Sequence, residues 1–99
     1  MFDIAIIGAG IIGAMTAREL AKYNLSVCVL EKENDVAMGA TKANSSIVHA
    51  GFDAKPGTLK AKLNVEGSRR MKALSGELDF PYKQNGSMVL CFEEQGIDT

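Results

Sequence analysis

The chain has 99 residues, enough for one small domain or for one piece of a larger protein. Its hydrophobic fraction is 46% and its formal net charge is -1. That composition suits a folded soluble chain and excludes the strongly basic surface by which proteins attract nucleic acid or an anionic membrane.

Phe2 to Ile7 is nearly continuous apolar sequence rich in isoleucine, the pattern of a parallel-sheet strand buried on both faces. The N-terminal apolar stretch is broken by three glycines, Gly8, Gly10 and Gly13, has no basic residue before it, and is too short to cross a bilayer. It therefore reads as neither a signal peptide nor a transmembrane segment. Gly8 to Gly10 ends the strand. Ile11 to Tyr23 has helical character, with Ile12, Met15, Leu20 and Tyr23 near helical spacing and Asn24 as the stop. Ser26 to Leu30 is a second β-branched run, closed by Glu31. Strand, glycine turn, helix and strand follow one another in about thirty residues, the length of a βαβ unit.

Glu33 to Lys55 is polar and rich in small residues. A connection that long inside a compact domain is usually functional. Thr58 is placed to cap a helix from Leu59 to about Ser75, with Gly76 at its end. Leu59, Leu63, Met71, Leu74 and Leu78 lie close to one face of it. Phe80 and Pro81 open a new segment, Gly86 to Phe92 reads as a strand, and a polar tail follows. Cys28 and Cys91 lie in apolar stretches without a CxxC pair, so they read as buried reduced thiols of a cytoplasmic protein. Met15, Met38, Met71 and Met88 read as core fillers. Lys55, Lys60 and Lys62 read as a solvated helix face or, alternatively, as partners of an anion.

Gly8-Ala9-Gly10-Ile11-Ile12-Gly13 matches G-x-G-x-x-G, and its context is met: a strand before, a helix after, and an acid ending the next strand. Gly8 permits the tight turn, Gly10 lets the backbone approach a pyrophosphate, and Gly13 lets helix and strand pack closely. The helix N-terminus offers unpaired amides and positive potential to a diphosphate. Glu31 lies 23 residues after Gly8, where a carboxylate accepts from both ribose hydroxyls and repels a 2′-phosphate, against NADP. The alternatives are a ligand-free structural turn and a solvated strand-end acid. Spacing does not choose between FAD and NAD.

Phe2 to Lys32 resembles the N-terminus of FAD-dependent oxidoreductases of the D-amino-acid oxidase and glycerol-3-phosphate dehydrogenase superfamily. Gly39 to Gly51, read Gly-Ala-Thr-Lys-Ala-Asn-Ser-Ser-Ile-Val-His-Ala-Gly, is similar to the A-T-S-S…H-G-G segment of flavin-dependent glycerol-3-phosphate dehydrogenases. It is also similar to the N-S-G-V-I-H-S-G segment of L-2-hydroxyglutarate dehydrogenases, whose order Lys55 to Ala61 and Tyr82 to Ser87 follow closely. Ala50 and Ser46 each stand where one of those patterns has glycine, departures that bear on the substrate rather than on the flavin.

The resemblance implies an α/β fold, a Rossmann-like FAD-binding βαβ unit forming the N-terminal part of a two-domain flavoenzyme. Residues 1–77 are expected to begin the FAD domain and 78–99 to enter the substrate domain. The relatives are several times longer, so the chain is expected to be an N-terminal piece. Implied cofactor contacts are Gly8, Gly10, Ile11, Ile12, Gly13, Glu31 and Lys32 in the βαβ unit. From the following loop they are Thr41, Asn44, Ser45 and Ser46 around the pyrophosphate, with His49 and Gly51 near the flavin ring. His49, the only histidine, is either a catalytic group beside ring or substrate or a hydrogen-bonded structural one. With no second histidine, a metal site is not expected.

The expected activity is oxidation of a small anionic hydroxy substrate by hydride transfer to flavin, with glycerol 3-phosphate and L-2-hydroxyglutarate leading and an amino acid next. The electron acceptor is not specified by these residues. Two other classes remain open: an NAD-dependent dehydrogenase, in which residues 41–51 are only a loop, and a nucleotide-binding module without catalysis.

Overall fold

β-branched and isoleucine-rich runs pair where a short helical connection brings them side by side. In the computed structural model, which describes residues 1–94, β1 (Ile4–Ile7) and β2 (Val27–Leu30) form a two-stranded parallel sheet. Ile4 faces Val27, Ala5 faces Cys28, Ile6 faces Val29 and Ile7 faces Leu30. The ladder continues past the strand, because the Gly8 amide donates to the Leu30 carbonyl at 2.8 Å. Between the strands runs α1 (Ile11–Leu20), packed on both. The helix expected as far as Tyr23 ends at Leu20. Its last residues relax into turns, with Lys22 N donating to Glu19 O and Tyr23 N to Leu20 O, as helix ends commonly do.

The opposite end of the sheet is closed by Asp3 and Ser26. The Ser26 amide and hydroxyl donate to Asp3 Oδ2 at 2.8 and 3.0 Å. The Asp3 amide in turn donates to the Ser26 carbonyl at 2.9 Å.

Burial of β1 on both faces, as its apolar run suggests, is not seen among the described residues. Ile4 and Ile6 are half-buried, whereas Ile7 on the other face is 88% exposed. One helix covers one face of a sheet, and alternate residues point to the other. These residues form one compact unit, Met1–Ile47; a second begins at Val48.

The second unit is built on α2 (Leu59–Leu78). Thr58 caps it as expected, its hydroxyl oxygen accepting from the Ala61 amide at 3.2 Å. The helix runs past the expected stop at Gly76. A glycine inside a helix costs only about 1 kcal/mol, and the left-handed terminating residue is instead Asp79, at φ 53°. Short polar side chains tolerate that conformation. Leu59 and Leu63 on the apolar face of α2 are exposed.

No strand forms over 86–92 among the described residues; Met88 and Phe92 are 83% and 90% exposed. An apolar pattern describes a strand's faces, but a strand exists only through ladder partners. Met38, also expected in a core, is exposed. Cys28 is half-buried and Cys91 exposed, not buried as their apolar neighbours suggested; both are free thiols. Among the described residues no helix is long and apolar enough to cross a membrane.

Candidate functional site

The site grows out of the turn between β1 and α1. Gly8 has φ +105°, a conformation that residues with a Cβ rarely adopt. Ala9 follows, only 8% exposed. Gly10 is the N-cap residue of α1 and carries no side chain to satisfy the helix amides. A Cβ on Gly13 would collide with the Gly8 carbonyl oxygen and lie 3.3 Å from the Ile6 side chain. The third glycine therefore lets α1 lie directly on the turn and on β1, as its place in the pattern predicts.

The helix N-terminus points its amides outward with the positive end of the dipole behind them. That of Ile11 donates to Thr41 Oγ1 at 2.9 Å. Among the described residues those of Ile12 and Gly13 have no acceptor. A Cβ on Gly10 would stand 3.0 Å from the same Thr41 oxygen, so a side chain here would push the Thr41 hydroxyl off the Ile11 amide.

Glu31, half-buried at the tip of β2, folds back onto the turn. Its Oε2 accepts from the Ala9 amide at 2.8 Å and its Oε1 from the Glu33 amide at 3.1 Å. These bonds hold the ionised carboxyl, and its pKa lies below the ordinary glutamate value. The Ala9 amide is the largest cause and the Glu33 amide next; burial opposes them, and Lys32 adds a weaker pull through its amide and its charge. The Ala37 amide donates to the Ala9 carbonyl at 3.0 Å. A cavity of about 420 Å³ opens here, lined by Ala9, Gly10, Ile11, Ala14, Val29, Glu31, Val36, Ala37 and Thr41.

Gly8, Gly10, Ile11, Ile12, Gly13, Glu31 and Thr41 are thus brought together. Lys32 lies exposed beside Glu31. Asn44, Ser45 and Ser46 lie on an exposed loop and, among the described residues, make no hydrogen bond to the turn. Asn44 Oδ1 accepts from the Ser46 amide at 2.7 Å, and Ser46 adopts φ 59°. His49 and Gly51 belong to the second unit. His49 Nδ1 lies 3.6 Å from Asp53 Oδ2, both side chains being largely exposed. Gly51, at φ +108°, is pressed so close to α2 that a Cβ would stand 2.6 Å from a Val65 methyl.

The sequence reading missed Ala37 and Asp53. Asp53 had a readable signal, four residues from the only histidine. Ala37, at φ 59°, had none, because alanine does not announce a left-handed conformation.

Strand, glycine turn, helix, parallel strand and tip carboxylate together define a dinucleotide-binding βαβ unit. The profile of the FAD dependent oxidoreductase family matches residues 3–99, and the chain belongs to that family. Similar proteins include a glycerol 3-phosphate dehydrogenase from Caloramator mitchellensis, 59% identical over 99 residues. That alignment covers all of this chain and 21% of the relative. Mitochondrial L-2-hydroxyglutarate dehydrogenases from Nematostella vectensis and Homo sapiens are each 41% identical over 98 residues, 97% of this chain and 22% and 21% of those proteins. The chain thus spans about a fifth of the length of these relatives. The turn fits the ADP half of FAD: Gly10 puts no Cβ on the approach to the helix N-terminus, where only the Thr41 hydroxyl stands close, and among the described residues the Ile12 and Gly13 amides lack acceptors.

Proposed function

We propose that the full-length protein is a flavin-dependent dehydrogenase or oxidase acting on a small anionic hydroxy substrate, glycerol 3-phosphate first. The observation that carries the reading is the glycine turn closed by Glu31, and the glycerol 3-phosphate dehydrogenase relative supports the substrate. In this reading the amides of Gly10, Ile12 and Gly13 at the start of α1 take the diphosphate, while that of Ile11 is held by Thr41. Glu31 takes the ribose hydroxyls, flanked by Lys32. Thr41, Asn44, Ser45 and Ser46 close over the diphosphate with hydroxyls and amides. The resemblance assigns Gly51 and His49 to the flavin ring, with His49 as the group that takes the substrate hydroxyl proton; Asp53 Oδ2 lies 3.6 Å from its Nδ1. FAD, when bound, accepts the hydride from the carbinol carbon. Residues 1–77 would begin the FAD domain and 78–99 open the substrate domain, 95–99 lying outside the described residues. A cytoplasmic location belongs to the proposal.

The relatives named for L-2-hydroxyglutarate favour a second substrate, also an anionic secondary alcohol. The test is the visible spectrum of the purified full-length protein under anaerobic conditions. Flavin bands that bleach on adding glycerol 3-phosphate are expected. A protein without flavin absorption overturns the cofactor assignment. Bleaching by L-2-hydroxyglutarate alone transfers the function to the second substrate.

A further inference from the structure

We infer that the segment from Glu31 to Thr41 is a clamp that presets the glycine turn, with Glu31 and Ala37 as positioning residues that act through the peptide of Ala9. The inference rests on the FAD reading only for its consequence, not for its geometry. A turn containing Gly8 and Gly10 is conformationally loose in isolation, because glycine restricts its own backbone little. Ala9 sits between them, and its orientation decides where the amides of the following helix turn point.

Both polar groups of Ala9 are gripped by the same segment. Glu31 Oε2 accepts from its amide at 2.8 Å, and the Ala37 amide donates to its carbonyl at 3.0 Å. Thr41 adds a third tie at the Ile11 amide, 2.9 Å. Ala37 reaches the Ala9 carbonyl in a left-handed conformation, φ 59°, which is unfavourable for a residue with a Cβ. Such strain persists only where the surroundings impose it. Ala9 itself is one of two buried apolar residues among those described.

The Ala9 amide is therefore spent on Glu31 rather than offered to a ligand. Each carboxylate oxygen keeps a further lone pair, so turn-holding and ribose binding coexist in one side chain. Glu31 then raises cofactor affinity partly by ordering the turn beforehand, which reduces what binding must order.

The experiment uses the full-length protein stripped of flavin. Hydrogen exchange is followed by mass spectrometry on the peptide covering residues 4–12, beside flavin affinity from fluorescence quenching. In Glu31→Ala, exchange at the turn is expected to accelerate about tenfold in the flavin-free protein, the scale of one lost charge-assisted hydrogen bond. Glu31→Gln, whose amide oxygen still accepts from Ala9, is expected to restore most of the protection and part of the affinity. Wild-type exchange in flavin-free Glu31→Ala, with or without weakened flavin binding, overturns the clamp. Faster exchange in a protein whose wild type takes up no flavin leaves the clamp standing and overturns the FAD reading instead.

Discussion

At one end of the β1–β2 pair, Asp3 accepts from the amide and hydroxyl of Ser26; at the other, Glu31 accepts from the amides of Ala9 and Glu33. Both carboxyls are pulled below their ordinary pKa by backbone amides first. The interactions are alike in chemistry and length, yet the surroundings differ. Around Asp3 the groups it engages are used up in closing the two strands. Around Glu31 the engaged amide belongs to a turn whose neighbouring amides, those of Ile12 and Gly13, have no acceptor among the described residues. An acid at a strand end marks a ligand site only where it grips a backbone that still has donors to offer. Acid chemistry alone does not distinguish the two ends.

The largest effects are expected from the glycines at the Glu31 end. Gly13→Ala drives a Cβ into the Gly8 carbonyl. A backbone cannot give way as a side chain can, so the cost is expected near about 3 kcal/mol, the upper part of the overpacking range. Denaturant midpoints of the flavin-free protein measure it. Gly10→Val is expected to lose flavin, since its side chain takes the space of the diphosphate, and to keep the fold, since its Cβ meets only the end of the Thr41 side chain, which can turn away. Normal flavin content in Gly10→Val would move the diphosphate away from this turn.

Next in size is the direct contrast of the two acids. Glu31→Ala is expected to weaken flavin binding by roughly tenfold to a hundredfold, the range for losing bonds to a charged acceptor. Asp3→Ala is expected to leave flavin affinity unchanged and to lower the thermal midpoint alone. Titration of both flavin-free variants with FAD settles it, and an equal loss of affinity in the two would erase the distinction between the ends.

A smaller effect is the pH dependence. Each carboxyl is more acidic in the folded chain than in the unfolded one, so folding favours the ionised form. The stabilisation is complete above the unfolded pKa and is lost as pH falls through the lower, folded value. Asp3→Asn and Glu31→Gln each remove one share of this acid sensitivity, visible as a flatter midpoint-against-pH curve below neutrality. In Glu31→Gln alone, flavin affinity also stops falling with acid.

Much of the Glu31 end was legible from residue order, because glycine chemistry is local. Gly8 needs its positive φ and Gly13 its missing Cβ whatever surrounds them. Glu31 was legible as a strand-tip acid, but its grip on Ala9 was not. A backbone amide has no sequence signature, and the partner lies 22 residues away. Ala37 was hidden for the same reason. The Asp3–Ser26 closure is also long-range and went unread. Beyond the βαβ unit, local pattern misled where pairing or competition decides: 86–92 has an apolar strand pattern without a ladder partner, and the left-handed stop of α2 falls on Asp79 rather than Gly76.

The smallest expected effect refines the Asp3 end. Ser26→Ala removes the hydroxyl that donates to Asp3 Oδ2 at 3.0 Å and accepts from the Asp3 amide at 3.0 Å. The Ser26 amide still donates to the same carboxylate oxygen at 2.8 Å, and the Asp3 amide still reaches the Ser26 carbonyl at 2.9 Å. The backbone bond is also the larger cause of the lowered Asp3 pKa, the hydroxyl the lesser. Ser26→Ala is therefore expected to lower the thermal midpoint less than Asp3→Ala and to keep most of the acid sensitivity that Asp3→Asn abolishes. Flavin affinity should match wild type in all three variants. The measurement is the thermal midpoint of each between neutral pH and the onset of acid unfolding. If Ser26→Ala flattens the curve as fully as Asp3→Asn, the hydroxyl holds the carboxylate and the backbone does not. The two strand ends would then differ in chemistry as well as in surroundings, since Glu31 accepts from backbone amides alone.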